Sequence, residues 1–170
     1  MKQLFSRAEI ASVTAGLGRE ISAWYEGKEL TLMILANGGI FFGVDLARNI
    51  SIPVYIDVIG LTSYVDDRKC GEPQFRCPPK LPVAGRHILL VDDVLDSGES
   101  IAFCARYFKE QGALSVRSAV LVEKAVGTRN FSADWKCFNA PDQYLVGSGM
   151  DSCEFYRNLD CIAVMEADGE

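Results

Sequence analysis

The stretch Ile88-Leu-Leu-Val-Asp-Asp-Val-Leu-Asp-Ser-Gly-Glu-Ser100 decides the fold class of this chain. Four apolar residues open it, as is typical of a strand buried on both faces of a parallel sheet. The run ends in two adjacent carboxylates, Asp92 and Asp93, and a turn of small residues leads into a helical pattern. Open α/β sheets bind ligands at the carboxyl ends of their strands, and such turns gather N–H groups around phosphate. The stretch therefore indicates a site for a polyhydroxyl ligand, a divalent cation or both.

Strand and helix patterns alternate along the rest of the chain. A capping box at Ser6-Arg-Ala-Glu9 opens a helix that we expect to end near Gly27. The other predicted helices are 40–49 and 101–112, and the predicted strands are 30–35, 53–60, 87–91, 115–123, 134–138, 144–146 and 162–165, the last of which closes the sheet. This alternation predicts an α/β domain whose doubly wound, mainly parallel sheet is flanked by helices.

Residues 65–82 differ from their surroundings, because they contain four prolines and seven charged residues. This composition disfavours a regular buried element, although it is compatible with a short hairpin within the segment. Loops of this length in compact domains are usually lids or disordered segments. We therefore expect a long mobile loop at about 65–82.

Length and composition restrict the class of protein. A chain of 170 residues with 49% hydrophobic and 24% charged residues fits one globular domain over 1–170. No apolar run is long enough for a membrane span, and the N-terminus lacks a secretory pattern. The net charge of −6 argues against a nucleic-acid partner, but not against a phosphorylated small molecule. The six cysteines form no Cys-x-x-Cys pair, so we expect free thiols in the cytoplasm.

Other interpretations of the acidic turn fit the sequence less well. An Asp pair can simply end a strand and cap a helix, but the added Asp, Ser and Gly residues weaken that interpretation. A phosphoacceptor receiver domain needs a further acidic residue at the end of a later strand, and Asp134 lacks that context. The chain has no Gly-x-x-x-x-Gly-Lys-Ser/Thr loop, and Gly16-x-Gly18 lacks the third glycine of a dinucleotide fingerprint.

The run from Val91 to Ser100 closely resembles the phosphoribosyl-pyrophosphate loop of type I phosphoribosyltransferases. Thr62-Ser-Tyr64 resembles the entry to the mobile loop of that family. The segment from Pro141 to Leu159 is similar to the C-terminal purine-binding segment of hypoxanthine-guanine phosphoribosyltransferases, and with Lys124 it indicates the 6-oxopurine branch. The resemblance covers roughly residues 6–166. It implies a type I phosphoribosyltransferase-like fold, with a small hood from the terminal segments that includes about 141–166.

The resemblance implies transfer of ribose 5-phosphate from phosphoribosyl pyrophosphate to N9 of hypoxanthine or guanine, giving IMP or GMP and pyrophosphate. Asp92 and Asp93 would accept hydrogen bonds from the ribose hydroxyls, although the family more often has Glu at the first position. Asp96 would be the acid/base group that faces purine N7. The residues expected to surround the 5′-phosphate are Ser97, Gly98, Glu99 and Ser100, with the Glu99 side chain pointing outward.

The resemblance also assigns the remaining ligands. Pyrophosphate would bind the turn at Asn37 and Gly38, where many relatives carry Lys in place of Asn37, and Arg157 would be its cationic partner. The purine would meet Lys124 at O6, the ring of Tyr144, the backbone of Leu145 and Asp151. A Mg²⁺ ion would bind Asp151, with Asp92 and Asp93 reaching it through water or substrate.

Three alternatives remain open at this stage. One is a transferase that prefers xanthine, since discrimination at C2 depends on backbone geometry. A second is a regulator that binds phosphoribosyl pyrophosphate without catalysis, for which the chain offers no basic recognition surface. A third changes the base to adenine or orotate. Lys124 together with the Tyr144–Arg157 segment argues against both, and adenine in particular has no O6 acceptor for Lys124. The resembled family assembles as dimers or tetramers, so we expect a homodimer or homotetramer.

Overall fold

The computed structural model describes residues 1–65, 68–126 and 131–165, with the backbone alone at 63–65 and 68–72. Residues 66–67 of the predicted loop and residue 166 of the predicted hood lie outside this set. In chain order the elements are β1 Lys2–Phe5, α1 Arg7–Trp24, β2 Leu30–Ala36, α2 Gly39–Asn49, β3 Val54–Val65, β4 Arg68–Cys77, β5 His87–Leu95, α3 Glu99–Glu110, β6 Ser115–Ala125, β7 Trp135–Pro141, β8 Leu145–Val146 and β9 Ile162–Val164. Within the described ranges, no helix is long and apolar enough to cross a membrane.

The main sheet has six strands in the order β4-β3-β2-β5-β6-β7. All neighbours from β3 to β7 pair in parallel, and β4 is an antiparallel edge strand. Successive residues of the central strands face opposite layers: Leu32 packs with helices α1 and α2, whereas Met33 and Leu90 pack with α3. The predicted α/β architecture is therefore confirmed, and the apolar runs are buried on both faces, as parallel strands require.

A second sheet of three antiparallel strands, in the order β1-β9-β8, forms the hood. The prediction that Ile162–Val164 closes the main sheet was wrong, because this strand pairs with Lys2–Phe5 and Leu145–Val146 instead. Strand β1 was not predicted as an element. The two ends of the described chain thus meet over the carboxyl ends of the parallel strands.

Strands β3 and β4 pair antiparallel and are the two arms of a hairpin. The segment expected to be a long mobile loop therefore contains a regular strand at Arg68–Cys77. A short hairpin within the segment itself is not what the structure shows, because β4 pairs with β3, which comes before it in the chain. The chain that follows is anchored by the buried side chain of Asp57, whose Oδ2 accepts hydrogen bonds from the backbone N–H groups of Lys80 (2.6 Å) and Leu81 (2.9 Å).

The starts of helices α1 and α3 have identifiable local causes. The predicted capping box is present: Ser6 Oγ accepts the Glu9 N–H at 3.3 Å, and the Glu9 carboxylate accepts the Ser6 N–H at 2.8 Å. Helix α3 begins at Glu99, after Gly98 at a φ of 82°. Strand β5 runs on to Leu95, beyond the predicted end at residue 91, because Asp92 to Leu95 keep pairing with β6.

Candidate active site

A cavity of about 350 Å³ opens at the carboxyl ends of the parallel strands, beneath the hood. Nine of the predicted site residues line it: Gly38, Asp92, Asp93, Ser100, Lys124, Tyr144, Leu145, Asp151 and Arg157. A smaller hollow of about 90 Å³ shares Asp92 and Ser100 with it and is also lined by the predicted residues Asp96, Ser97, Gly98 and Glu99. Asn37 lines neither space, and its side chain is exposed. The fold thus brings together all the other predicted residues.

The adjacent carboxylates Asp92 and Asp93 lie at the floor of the cavity, inside strand β5 rather than after it. Burial raises the pKa of Asp92 well above its usual value, and repulsion from Asp93 raises it further. Burial also raises the pKa of Asp93, although hydrogen bonds with Asp92 and with the Val94 backbone, and to a smaller extent the charge of Arg157, oppose this increase. Because two close, desolvated carboxylates resist double ionisation, the pair retains a proton to higher pH than an isolated carboxyl group would.

The smaller hollow is formed by the turn from β5 into α3. Gly98 is the N-cap of α3 in a left-handed conformation, and Ser97 Oγ accepts the Glu99 N–H at 3.4 Å. Glycine provides no side chain to cap the helix, so an anion in the hollow can take that place, where the helix dipole favours it. The Glu99 side chain is exposed, in agreement with its predicted outward direction.

Two glycines let the turn after β2 approach its neighbours closely. The carboxylate of Asp93 occupies the space in which a Cβ atom at Gly38 would lie. A Cβ at Gly149, whose φ is 106°, would meet the carbonyl oxygen of Gly38. The hood therefore rests directly on this turn. The peptide bond between Ala36 and Asn37 is cis.

Lys124 lies at the end of β6, with a side chain that is only 12% exposed. Its Nζ is 2.9 Å from Asp96 Oδ2 and 3.9 Å from Asp142 Oδ1. The sequence predicted Lys124 and Asp96 as separate ligands of the base and missed Asp142. A signal was available, because Asp142 directly follows Pro141, whose strand ends beside that of Lys124 with Ala125 opposite Pro141.

Arg157 ties the hood together. Its guanidinium donates to the Gly149 carbonyl at 2.9 Å and lies 2.9 Å from Asp151 Oδ1 and 3.0 Å from Glu154 Oε2. Tyr144 donates its hydroxyl to the Asp151 carbonyl at 3.2 Å and leaves its ring exposed at the cavity wall. Glu154 was not predicted from the sequence. Through these contacts Arg157 joins several parts of the segment that carries Asp151 and Tyr144.

The donor set suits a metal ion carried by a substrate. Within residues 1–65, 68–126 and 131–165, no group of three or more His, Cys, Asp or Glu side chains could hold a metal. Mg²⁺ usually takes one or two protein carboxylates and completes its octahedron with water and substrate phosphates. Asp151, Asp92 and Asp93 line one cavity and fit that requirement.

Comparison with known protein families gives one match that includes most of these site residues. The family model of the phosphoribosyl transferase domain matches residues 1–152. The chain belongs to the phosphoribosyltransferase family. The resemblance stated from the motifs is thereby confirmed, and so is the fold expected of this phosphoribosyltransferase.

Individual relatives agree along nearly the whole chain. Hypoxanthine-guanine phosphoribosyltransferase of Streptococcus pneumoniae (strain ATCC BAA-255 / R6) is 32% identical to this chain, and the match covers 97% of this chain and 93% of the length of that protein. The crystal structure of a hypoxanthine-guanine phosphoribosyltransferase from Bacillus anthracis superposes with a TM-score of 0.91 at 27% identity, covering 98% of this chain and 99% of that one. A hypoxanthine phosphoribosyltransferase from Staphylococcus aureus superposes equally well, with a TM-score of 0.91 at 24% identity and coverage of 98% and 91%.

Proposed function

We propose that this phosphoribosyltransferase transfers the 5-phosphoribosyl group of phosphoribosyl pyrophosphate to N9 of hypoxanthine or guanine, which yields IMP or GMP and pyrophosphate in purine salvage. The observation that carries the proposal is the position of Lys124 beside Asp96, at the edge of the cavity whose floor holds Asp92 and Asp93. A largely shielded ammonium group beside a carboxylate matches the O6 acceptor and the N7 proton of a 6-oxopurine. The similarity to hypoxanthine-guanine phosphoribosyltransferases supports the same substrates.

The chemistry assigns one task to each part of the site. The lone pair of N9 forms the new bond to C1 of the ribose, the bond from C1 to the pyrophosphate oxygen breaks, and its electron pair leaves with pyrophosphate. Asp96 accepts the N7 proton as the base becomes the nucleophile. Asp92 and Asp93 accept hydrogen bonds from the ribose hydroxyls, and Lys124 donates to O6.

The phosphates and the metal use the remaining residues. The residues proposed for the 5′-phosphate are Ser97, Gly98, Glu99 and Ser100, with Glu99 contributing its backbone. Gly38 and Asn37 offer backbone groups to pyrophosphate, and Arg157 offers its guanidinium once phosphate competes with Glu154. Mg²⁺ bound at Asp151, with Asp92 and Asp93 near it, would neutralise charge on the leaving group.

The hairpin of β3 and β4 is proposed as the mobile lid of this site. Leu61, in β3, lines the cavity, so the hairpin stands at its edge. Closure over bound substrate would exclude water and suppress hydrolysis of the activated ribose.

The proposal is tested by incubation of the protein with phosphoribosyl pyrophosphate, Mg²⁺ and one of guanine, hypoxanthine, xanthine or adenine, followed by identification of the nucleotide. We expect GMP and IMP, little product with adenine, and no product after removal of Mg²⁺ with a chelator. Efficient adenine turnover would contradict the role of Lys124. Binding of phosphoribosyl pyrophosphate without any product would favour a regulator, and a preference for xanthine would identify the other alternative.

Asp96→Asn tests the acid/base assignment. Because the variant keeps the shape of the side chain and loses its basicity, we expect kcat to fall by about 10²–10⁴-fold. The Kd for IMP, measured by calorimetry, should change far less than kcat. A variant with wild-type kcat would remove Asp96 from the mechanism.

We also propose a cytoplasmic homodimer or homotetramer. Cys77, Cys104, Cys137, Cys153 and Cys161 are free thiols in the structure, in keeping with a reducing compartment. Several large apolar side chains are exposed on α2 and β3, namely Ile40, Phe41, Val44, Ile56 and Val58. Sedimentation equilibrium of the purified protein measures the state of assembly, and a monomer at micromolar concentration would contradict this part of the proposal.

A further inference from the structure

The Lys124 ammonium has a second acidic neighbour, Asp142, which the proposed reaction does not use. Among the described residues, two acids lie within 4 Å of Nζ, and they come from different elements. Asp96 follows β5, whereas Asp142 follows β7 at the start of the segment that carries Tyr144 and Leu145. The lysine therefore joins the phosphate turn to the purine-binding segment.

The ammonium needs an anion beside it because it is largely shielded from water. Its side chain is 12% exposed, and the cavity that it lines also contains Leu35, Leu61 and Met150. A charged group in such surroundings loses hydration and must be compensated by an opposite charge or by hydrogen bonds. Of the two acids, Asp96 makes the shorter contact, at 2.9 Å.

Binding of a purine changes this balance. On the proposed function, the Asp96 carboxylate must turn toward N7–H, and O6 offers Lys124 only a neutral acceptor. The remaining anion near Nζ is then Asp142, whose Oδ1 lies 3.9 Å away. An ammonium group has three donors, so Lys124 can contact O6 and Asp142 at the same time.

We propose that Asp142 is a positioning residue that holds the Lys124 ammonium in place for O6 while Asp96 serves the base at N7. Asp142 lies between the end of β7 and the hood, and hydrogen bonds fix the backbone on both sides of it: the Gln143 N–H donates to the Pro141 carbonyl at 2.8 Å, and the Met165 N–H donates to the Tyr144 carbonyl at 2.9 Å. The carboxylate is therefore presented by a structured turn. This inference rests on the proposed function and adds a residue to its base-recognition site.

Steady-state kinetics of Asp142→Asn test the inference. We expect the KM for hypoxanthine and for guanine to rise about tenfold, equivalent to ~1.4 kcal/mol, with the KM for phosphoribosyl pyrophosphate within about twofold of wild type. The kcat for the same bases should change less than the KM, because the variant loses a group that positions Lys124 and no group that touches the base. Asp142→Glu should restore the KM for both bases. Glu110→Gln, which removes one exposed charge at the end of α3, is the matched control.

The outcomes separate the two proposals. An active wild type together with an Asp142→Asn variant whose KM for both bases is unchanged would overturn the positioning role and leave the proposed function intact. Equal increases in the KM of both substrates, without restoration by Asp142→Glu, would indicate a merely structural role and would also overturn it. A wild type that transfers phosphoribosyl groups to neither base would overturn the proposed function and this inference together.

Discussion

Carboxylates outnumber cations in the cavity, although its proposed substrate is a diphosphate. Asp92, Asp93 and Asp151 line the cavity together with only two cations, Lys124 and Arg157. Each cation lies within salt-bridge distance of two acids. Substrate must therefore compete with internal ion pairs, and a metal ion is the natural source of the missing positive charge.

Asp92→Asn should separate stability from function. The raised folded-state pKa values of the pair mean that the folded protein binds more protons than the unfolded chain, so the free energy of unfolding falls as pH rises through those values. The variant removes one desolvated charge, and we expect its Tm at pH 8 to rise by about 2–4 °C, the shift that ~1 kcal/mol produces in a domain of this size. Calorimetry should show weaker binding of phosphoribosyl pyrophosphate with Mg²⁺.

The exposed acid Asp160 provides the control for that variant. Asp160→Asn makes the same chemical change on the surface, where ion pairs contribute little, so its Tm should match wild type. A lower Tm for Asp92→Asn at pH 8, in a protein with wild-type circular dichroism, would show that Asp92 is stabilising as an anion.

The cysteines should differ sharply in reactivity. Burial raises the pKa of Cys104 to about 12, with a further contribution from Asp92, and burial raises that of Cys137 to about 11. Because the thiolate is the reactive form, iodoacetamide at pH 8 should modify the exposed Cys153 and spare Cys104 and Cys137 until the protein unfolds. Peptide mass spectrometry measures this. Modification of Cys104 at the rate of Cys153 would show that its environment is open to water.

At the scale of elements, some helix and strand ends are set by the local sequence, and others are set by pairing with strands that are distant in the chain. The capping box at Ser6 fixes the start of α1, and Gly112, at a φ of 83°, follows the end of α3 as predicted. The end of β5 could not be predicted, because Asp92 and Asp93 interrupt its apolar pattern while β6 continues to supply hydrogen bonds. Strand β1 has only four residues, and its partner β9 lies at the other end of the described chain.

Ser6→Ala should destabilise α1 measurably. The substitution removes the side-chain half of the capping box, and such changes cost about 1 kcal/mol. Urea denaturation should show a lower midpoint with an unchanged m-value. Ser12→Ala, at an exposed position within the same helix, should be neutral or slightly stabilising, since alanine has the higher helix propensity. Equal midpoints for the two variants would contradict the capping contribution.

At the scale of the whole molecule, the cavity lies where the hood meets the carboxyl ends of the main sheet. The hood touches the turn after β2 through Gly149 and Gly38, and the Arg157 guanidinium donates a hydrogen bond to the Gly149 carbonyl. The sequence predicted which segments meet, through their resemblance to known motifs. It could not predict that Lys124 pairs with Asp96 and Asp142, because those contacts depend on strand order and side-chain direction.

Gly149→Ala should disturb this contact. A methyl group at a φ of 106° is strained, and it would also collide with the Gly38 carbonyl, so we expect a loss of about 2 kcal/mol or more in unfolding free energy and a raised KM for phosphoribosyl pyrophosphate. The control is Gly16→Ala in α1, where the added Cβ has its nearest neighbour at 3.9 Å and should stabilise by roughly 0.5–1 kcal/mol. Wild-type stability and KM in Gly149→Ala would show that the hood adapts freely.

The buried carboxylate of Asp57 restricts the movement of the chain that follows β4. Because this carboxylate accepts hydrogen bonds from the backbone N–H groups of Lys80 and Leu81, that part of the chain is fixed against β3. Movement of the proposed lid would therefore be confined to the part of β3 and β4 beyond the Gly60–Cys77 pair. Pro78 and Pro79, which directly follow Cys77, restrict the backbone at the fixed end.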